Sequence, residues 1–358
     1  MRNKLYFCFP IKGPNNGVKI ISERLMQYLS EKDDIRIKAI DTSQAKNFKN
    51  FGKFNIRKVS QSITLLFKVV FLENSCYAYL NLTPVGFAFY RDMALIAIFR
   101  LKNCRINVHL HANGLERRIN FFTRTLLRKT RIITINHYQQ KVLLEKNLQS
   151  RVLPNALPDY FEKEGIEPEY SKSECLQLLF FSNLSKEKGI DRLVRIVEEM
   201  KRMGVPYELR ICGGSLNEAT ELKLKKLLSK SKNVQYLGPI RDERKKIALF
   251  LESSFLLFLS NVNYEVYPLV YIEALMCGLP IISTEQVISA RLEEMGCLYT
   301  LRDIPSDLSR ILSNHSKKIE GKLAVRKRCR DTYKLNYNFV NYVEALIDII
   351  FDDEKEYL

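Results

Sequence analysis

Apolar residues recur along this chain as short solid runs, separated by longer stretches where they return every three or four positions. In the first half, Leu5–Phe9, Ile35–Ile40, Ala78–Leu82, Ile106–His111 and Ile132–Ile135 have strand length. Val18–Leu29 carries Ile21, Leu25 and Leu29 at helical spacing, after a turn at Gly13–Gly17. The second half repeats the rhythm. Strands are expected at Leu176–Phe181, Tyr207–Cys212, Val234–Leu237, Phe255–Leu259 and Pro280–Ser283. Helices are expected between them at Asp191–Met203, Asn217–Ser229, Asp242–Leu251 and Leu269–Met276. Solid apolar strands alternating with amphipathic helices predict an α/β fold, with parallel sheets covered on both faces.

At 358 residues the chain is too long for one ordinary core. Two doubly wound, Rossmann-like domains are expected at 1–157 and 174–338, joined by a linker at 158–173 that is Glu-rich and carries Gly165 and Pro168. Facing each other, such domains place the C-terminal ends of their strands around a shared cleft. The apolar runs Ser62–Phe71 and Met93–Phe99 are short, broken by Lys68 or flanked by Arg91 and Arg100, so no membrane span is predicted. The N-terminus has only a brief apolar stretch without a small-residue cleavage site, so it reads as a first strand and the expected location is cytoplasmic. The eight cysteines show no C-x-x-C spacing, which suggests buried thiols in a reducing compartment.

Charge adds a second asymmetry. Residues 1–160 hold 27 Lys+Arg and 10 Asp+Glu, a net of 27 − 10 = +17, whereas residues 161–358 hold 30 of each. The first half therefore suits an anionic partner: nucleic acid, anionic lipid or a diphosphate-bearing substrate.

The densest chemistry lies at Glu265-Val-Tyr-Pro-Leu-Val-Tyr-Ile-Glu273, continued by Ala-Leu-Met-Cys277-Gly278-Leu-Pro280. Glu265 precedes the helix expected at Leu269–Met276, and Glu273 lies about one turn inside it. A helix N-terminus offers unpaired N–H groups and partial positive charge to an anionic or hydroxyl-rich ligand. Alone, two acids there also describe a solvated cap.

Over roughly residues 1–345 the chain resembles family 4 retaining glycosyltransferases, which have the GT-B fold. Glu265 to Glu273 is similar to their E-x7-E signature, and Phe180-Phe-Ser-Asn183-Leu-Ser-Lys-Glu-Lys188-Gly189-Ile-Asp191 to their strand, loop and helix carrying E-K-G. Val152-Leu-Pro154-Asn155, Leu209-Arg-Ile-Cys-Gly213-Gly214 and Val234-Gln-Tyr-Leu-Gly238-Pro-Ile240 resemble further blocks of the family, in its order. The resemblance implies a first domain for the acceptor, a second for the donor, and a C-terminal segment, 339–358, that crosses back to the first. It implies a metal-independent hexosyltransferase with no cofactor, using a UDP- or GDP-linked sugar as co-substrate. Glu265 would hold the donor sugar beside Pro268 and the amides of Leu269 and Val270. Glu273 would bind the ribose, Lys188 the diphosphate, and the backbone near Gly238 and Ile240 the base.

Some positions depart from the pattern. Asn183 stands where the family commonly has arginine and brings no charge to a diphosphate. The loop before the first helix keeps only the second glycine of a common pair, Gly17, and the stretch Glu285-Gln286-Val287 is altered too. A plain solvated lysine is the ordinary reading of Lys188 within Lys186-Glu-Lys188, which the motif reverses.

His109 and His111 alternate on one strand and so face the same side. The following Ala112-Asn113-Gly114 resembles the family's cleft strand, which assigns His111 to the donor sugar and leaves His109 to the core. Residues 116–129 are basic and amphipathic, with Arg117, Arg118, Arg124 and Arg128 beside Phe121, Phe122, Leu126 and Leu127. Such a helix either lies on the anionic inner face of the cytoplasmic membrane or packs its stripe into the core. Ala45–Lys68 is a second basic candidate, for an acceptor loop.

The expected function is sugar transfer to a hydroxyl acceptor, a glycan or polyprenyl-diphosphate-linked glycan of surface polysaccharide assembly, by a peripheral membrane protein. A nucleic-acid binder lacks a motif and leaves the neutral half unexplained. A GT-B nucleotide-sugar epimerase and a catalytically silent homologue are the other readings.

Overall fold

The computed structural model describes residues 3–12, 17–43, 56–170, 175–215, 217–261, 265–315 and 319–352. Residues 13–16 of the expected glycine turn, 45–55 of the second basic candidate and 171–173 of the expected linker lie outside them. The chain forms two compact units, Met1–Leu157 with Phe339–Leu358, and Pro158–Asn338.

In chain order the first unit runs β1 (Asn3–Phe9), α1 (Gly17–Ser30), β2 (Ile35–Asp41), α2 (Ile56–Val70), β3 (Tyr77–Asn81), α3 (Gly86–Leu101), β4 (Arg105–Leu110), α4 (Phe121–Arg128), β5 (Arg131–Thr134), α5 (His137–Leu144) and β6 (Arg151–Val152). The second follows with α6 (Tyr160–Glu164), β7 (Leu176–Phe181), α7 (Ile190–Met203), β8 (Tyr207–Cys212), α8 (Glu218–Lys230), β9 (Val234–Gly238), α9 (Glu243–Glu252), β10 (Phe255–Phe258), α10 (Leu269–Met276), β11 (Ile281–Thr284), α11 (Ser289–Glu294), β12 (Leu298–Leu301), α12 (Ile304–His315) and α13 (Ile319–Asn336). The chain then returns to the first unit in α14 (Phe339–Phe351).

Each unit holds one six-stranded sheet, ordered β2-β1-β3-β4-β5-β6 in the first and β12-β11-β10-β7-β8-β9 in the second. Every named pairing is parallel, for example Leu5 opposite Tyr77 and Phe255 opposite Leu178. Right-handed crossovers put α2, α3 and α4 on one face of the first sheet and α1 on the other. α3 accordingly packs against both α2 and α4, while Tyr28 of α1 meets Phe339 of α14, ring centroids 5.9 Å apart. By the same rule α9 and α10 share one face of the second sheet, opposite α7 and α8.

The strands are buried on both sides, which is why they read as solid apolar runs: Leu5 to Phe9 of β1 and Phe255 to Phe258 of β10 are all buried. Two long helices were harder to read. Met93–Phe99 is the middle of α3, buried nearly all round, so its apolar residues lack a single-face period. Its flanking Arg91 is no solvent marker. It is buried, paired with Asp92 at 2.6 Å and donating to the Thr42 carbonyl at 2.6 Å. Ser62–Phe71 belongs largely to α2.

The stretch 158–173, read from composition as a linker, packs where it is described. Asp159 caps α6 and forms a buried ion pair with Arg330 of α13 at 2.7 Å. The Arg330 guanidinium lies over the rings of Phe161 and Tyr333, 5.0 and 5.3 Å from their centroids. At the other end, α14 is anchored by Arg131, which donates to the carbonyls of Ile349 and Ile350 at its C-terminus. No described helix is long and apolar enough to cross a membrane.

Candidate functional site

In the second sheet the strand order reverses between β7 and β10, and open parallel sheets bind ligands beyond the strand ends at such a switch point. The loops leaving these two strands are tied together. The Asn261 amide donates to the Glu187 carbonyl at 2.9 Å, and Arg192 donates to the Leu259 carbonyl at 3.2 Å and to Asn261 Oδ1 at 2.7 Å. Gly189 has φ +89°, and a Cβ there would overlap the Leu259 carbonyl. Only glycine lets the two loops lie this close.

This approach brings Lys188 of the first loop onto Glu265 of the second as an ion pair. Both side chains are largely buried, 18% and 19% exposed. Burial pulls the Lys188 ammonium down to about 8. Ser260 Oγ donates to Glu265 at 3.4 Å. The loop is held from β11 as well, where Thr284 and Gln286 both donate to the Ser260 carbonyl, at 2.6 and 2.9 Å. The altered position Gln286 is thus buried and structural.

α10 begins directly after this loop. Its N-cap is Pro268, and among the described residues no side chain caps the start of the helix at Leu269 and Val270. Glu273, in the second turn, pairs with Lys246 of α9 at 2.6 Å. The first carboxylate of the E-x7-E segment is therefore matched by a lysine from the β7 loop and the second by a lysine from α9. Lys246 was not singled out from sequence. Only the strand reversal puts α9 beside α10, and no local spacing signals it.

The remaining candidates of this unit lie at other strand ends. Gly213 has φ +138° and packs against the Ser182 carbonyl, its amide donating to the Gly238 carbonyl at 2.9 Å. Asn183 is exposed beside Gly214, while Gly238 at the end of β9 and Ile240 just past it are half-buried.

In the first unit Gly17 is the first residue of α1. His111 follows β4, its ring 4.0 Å from that of His109. Burial pulls it down to about 4, and its Nε2 has no hydrogen-bond partner among the described residues. His109 is fully buried, with Nδ1 2.6 Å from the Tyr79 hydroxyl.

The basic segment divides. Asn120 and Thr123 form a capping box that starts α4 at Phe121. Leu127 turns into the core, while Phe121 and Phe122 are 87% and 67% exposed. Arg118 lies over Phe89 and Tyr90, and Arg124 is half-buried, so only Arg117 and Arg128 of the four arginines stand in solvent. The apolar residues are not one stripe.

The family model of glycosyl transferases group 1 matches residues 162–293. This stretch is thus similar to a group 1 glycosyltransferase domain. Lys188, Lys246, Glu265 and Glu273 all fall within it. Among curated proteins, none matches the sequence. Among solved structures the chain is similar to a glycosyltransferase from Rickettsia africae, 14% identical, covering 99% of this chain and 100% of that one, with TM-score 0.72. It is similar to HepE of Anabaena in complex with UDP, 13% identical, covering 97% and 98%, with TM-score 0.67. Sucrose-phosphate synthase from Thermosynechococcus elongatus is 14% identical, covering 96% and 97%, with TM-score 0.65. The fold is GT-B, with two parallel six-stranded sheets wound with helices.

Proposed function

We propose that the protein is a retaining, family 4 glycosyltransferase that moves a hexose from a UDP- or GDP-linked donor to a hydroxyl acceptor. The meeting of Lys188 and Glu265 beside the uncapped N-terminus of α10 carries this reading. The resemblance to HepE, solved with UDP and with UDP-glucose, supports a nucleotide-sugar donor.

Lys188 and the amides of Leu269 and Val270 meet the donor diphosphate, with Pro268 fixing where α10 starts. Glu265 holds the sugar hydroxyls, and Glu273 accepts from the ribose. The backbone near Gly238 and Ile240 meets the base. Asn183 approaches the phosphates as a neutral group. The acceptor oxygen attacks the anomeric carbon on the face the diphosphate leaves. The bond to the diphosphate breaks with its electron pair, and a diphosphate oxygen takes the acceptor proton. Stabilising the growing phosphate charge is the protein's main contribution, and it does so without a metal ion.

The acceptor belongs to the first unit, whose net charge of 28 − 15 = +13 suits an anionic substrate. A polyprenyl-diphosphate-linked glycan of surface polysaccharide assembly, at the inner face of the cytoplasmic membrane, fits that charge. A thermal-shift panel of UDP, GDP, ADP and CMP, followed by donor hydrolysis, tests the donor half. Stabilisation by UDP or GDP with release of free sugar is expected, and no stabilisation by any nucleotide overturns it. Transfer to soluble sugar phosphates but not to lipid-linked diphosphate glycans overturns the acceptor half alone.

A further inference from the structure

We propose that the outer side of the α2–α3–α4 layer is a membrane-docking surface, which seats aromatic side chains in the interface of an anionic lipid bilayer. This deepens the reading above by naming the surface that meets the membrane, and it is independent of the donor site in the other unit.

The first observation is apolar exposure. α2 is apolar on two sides. Leu65, Leu66 and Val69 pack into the core, while Ile56, Ile63, Phe67 and Val70 recur at helical spacing with exposures of 78%, 53%, 65% and 50%. An exposed stripe of this length on a long helix is unusual for a soluble surface. Phe71 and Leu101, at the ends of α2 and α3, are 80% and 89% exposed. Two cations draw the three helix ends together. Lys102 donates to the Val70 carbonyl at 2.9 Å, and Arg100 donates to the Thr125 carbonyl of α4 at 3.1 Å. Phe71, Leu101 and the exposed Phe122 of α4 therefore belong to one layer.

The second observation is charge. Residues 42–144 contain 17 Lys+Arg and only three acids, Glu73, Asp92 and Glu116. Asp92 is buried against Arg91, and Glu73 is paired with Lys4. Arg57, Lys68 and Arg128 are exposed on the same helices as the aromatic residues. Basic residues interleaved with exposed phenylalanines combine attraction to anionic headgroups with insertion, the two signals that stable interfacial binding needs. A second copy of this face brings the same positive field and is disfavoured as the occupant.

Sedimentation with phosphatidylcholine vesicles, with and without phosphatidylglycerol, tests this at about 0.1 M and about 0.5 M salt. The protein should sediment with the anionic vesicles and lose only part of its binding at the higher salt. A variant carrying Phe67→Ser, Phe71→Ser, Phe121→Ser and Phe122→Ser should lose at least about tenfold in partitioning at both salts. Its thermal shift with whichever of UDP or GDP stabilises the wild type should persist. Because the chain has no tryptophan, Phe122→Trp gives a lone reporter that needs no loss of apolar surface. Its emission should shift to the blue on anionic vesicles and stay unchanged on nucleic acid. An unshifted reporter on anionic vesicles overturns the proposal. So does a folded serine variant that sediments like wild type, or one that only dissociates a dimer. A wild type that no nucleotide stabilises, with vesicle binding intact, would instead count against the glycosyltransferase reading.

Discussion

Lys188 and Glu265 stand on loops from different strands and meet as an ion pair where the strand order of the second sheet reverses. A donor must therefore share or displace this contact, trading a carboxylate partner of Lys188 for a diphosphate. In the proposed reaction the lysine's charge matters most as the diphosphate departs. Lys188→Ala should lower kcat by about 100-fold or more while nucleotide affinity falls less than about tenfold. Steady-state kinetics paired with calorimetric titration of UDP or GDP checks this, and equal losses in both would count against the role.

The same lysine sets a pH dependence. Burial holds it near 8, well below an ordinary lysine, so its positive charge is lost as pH rises through that value. The ratio kcat/KM should fall on the alkaline side from about pH 8, and Lys188→Arg, which stays charged, should remove that limb. A wild-type profile flat to about pH 10 would sink the assignment.

Much of this arrangement was legible in the chain, and the parts that were not have physical causes. α10 occupies the residues its apolar run predicted, Leu269–Met276, because Pro268 fixes its start. β7 and β8 likewise match their apolar runs. The partner of Glu273 was invisible, since Lys246 reaches it only through the strand reversal. In α4 the period of the apolar residues was readable but its phase was not. The Asn120–Thr123 cap sends Leu127 inward and leaves Phe121 and Phe122 outside. α3 hid for the opposite reason, being apolar on nearly every side and carrying a buried arginine–aspartate pair.

Glu273 and Lys246 form the second pair, and their variants should diverge. Glu273→Ala removes a charged acceptor for the ribose, costing about 1.5–3 kcal/mol, or roughly 10- to 150-fold in nucleotide affinity. Lys246→Met leaves that acceptor in place and removes a competitor for it, so affinity should change by no more than about threefold. Calorimetry on both variants decides it. A Lys246→Met loss as large as that of Glu273→Ala would make the lysine itself a ligand of the nucleotide.

Gly189 offers a structural test of the close loop approach. Alanine there must hold a left-handed φ of +89° and drive its Cβ into the Leu259 carbonyl. Gly189→Ala should cost more than about 2 kcal/mol in urea unfolding, with lowered turnover in whatever fraction folds. Gly204, also left-handed at φ +66° but in open space, should cost only about 1 kcal/mol when changed to alanine. Equal costs at the two positions would show that the loops do not depend on the contact.

The last prediction concerns how the diphosphate is neutralised. Asn183 supplies no charge where the resembling family commonly has arginine. What the second unit offers around α10 is Lys188 and the first N–H groups of a helix with no side-chain cap. These are fixed donors in a largely buried setting, where a charge-assisted contact is strong. If they are sufficient, treatment with EDTA should leave transfer nearly intact, and Mg2+ or Mn2+ should add little. Asn183→Arg should then tighten nucleotide binding by restoring a cation, by about fivefold to tenfold. Loss of activity on chelation, rescued by either metal, would show that a metal ion takes the place of the arginine. In that case Asn183→Arg should relieve the metal requirement, which separates a missing charge from a metal needed to order the fold.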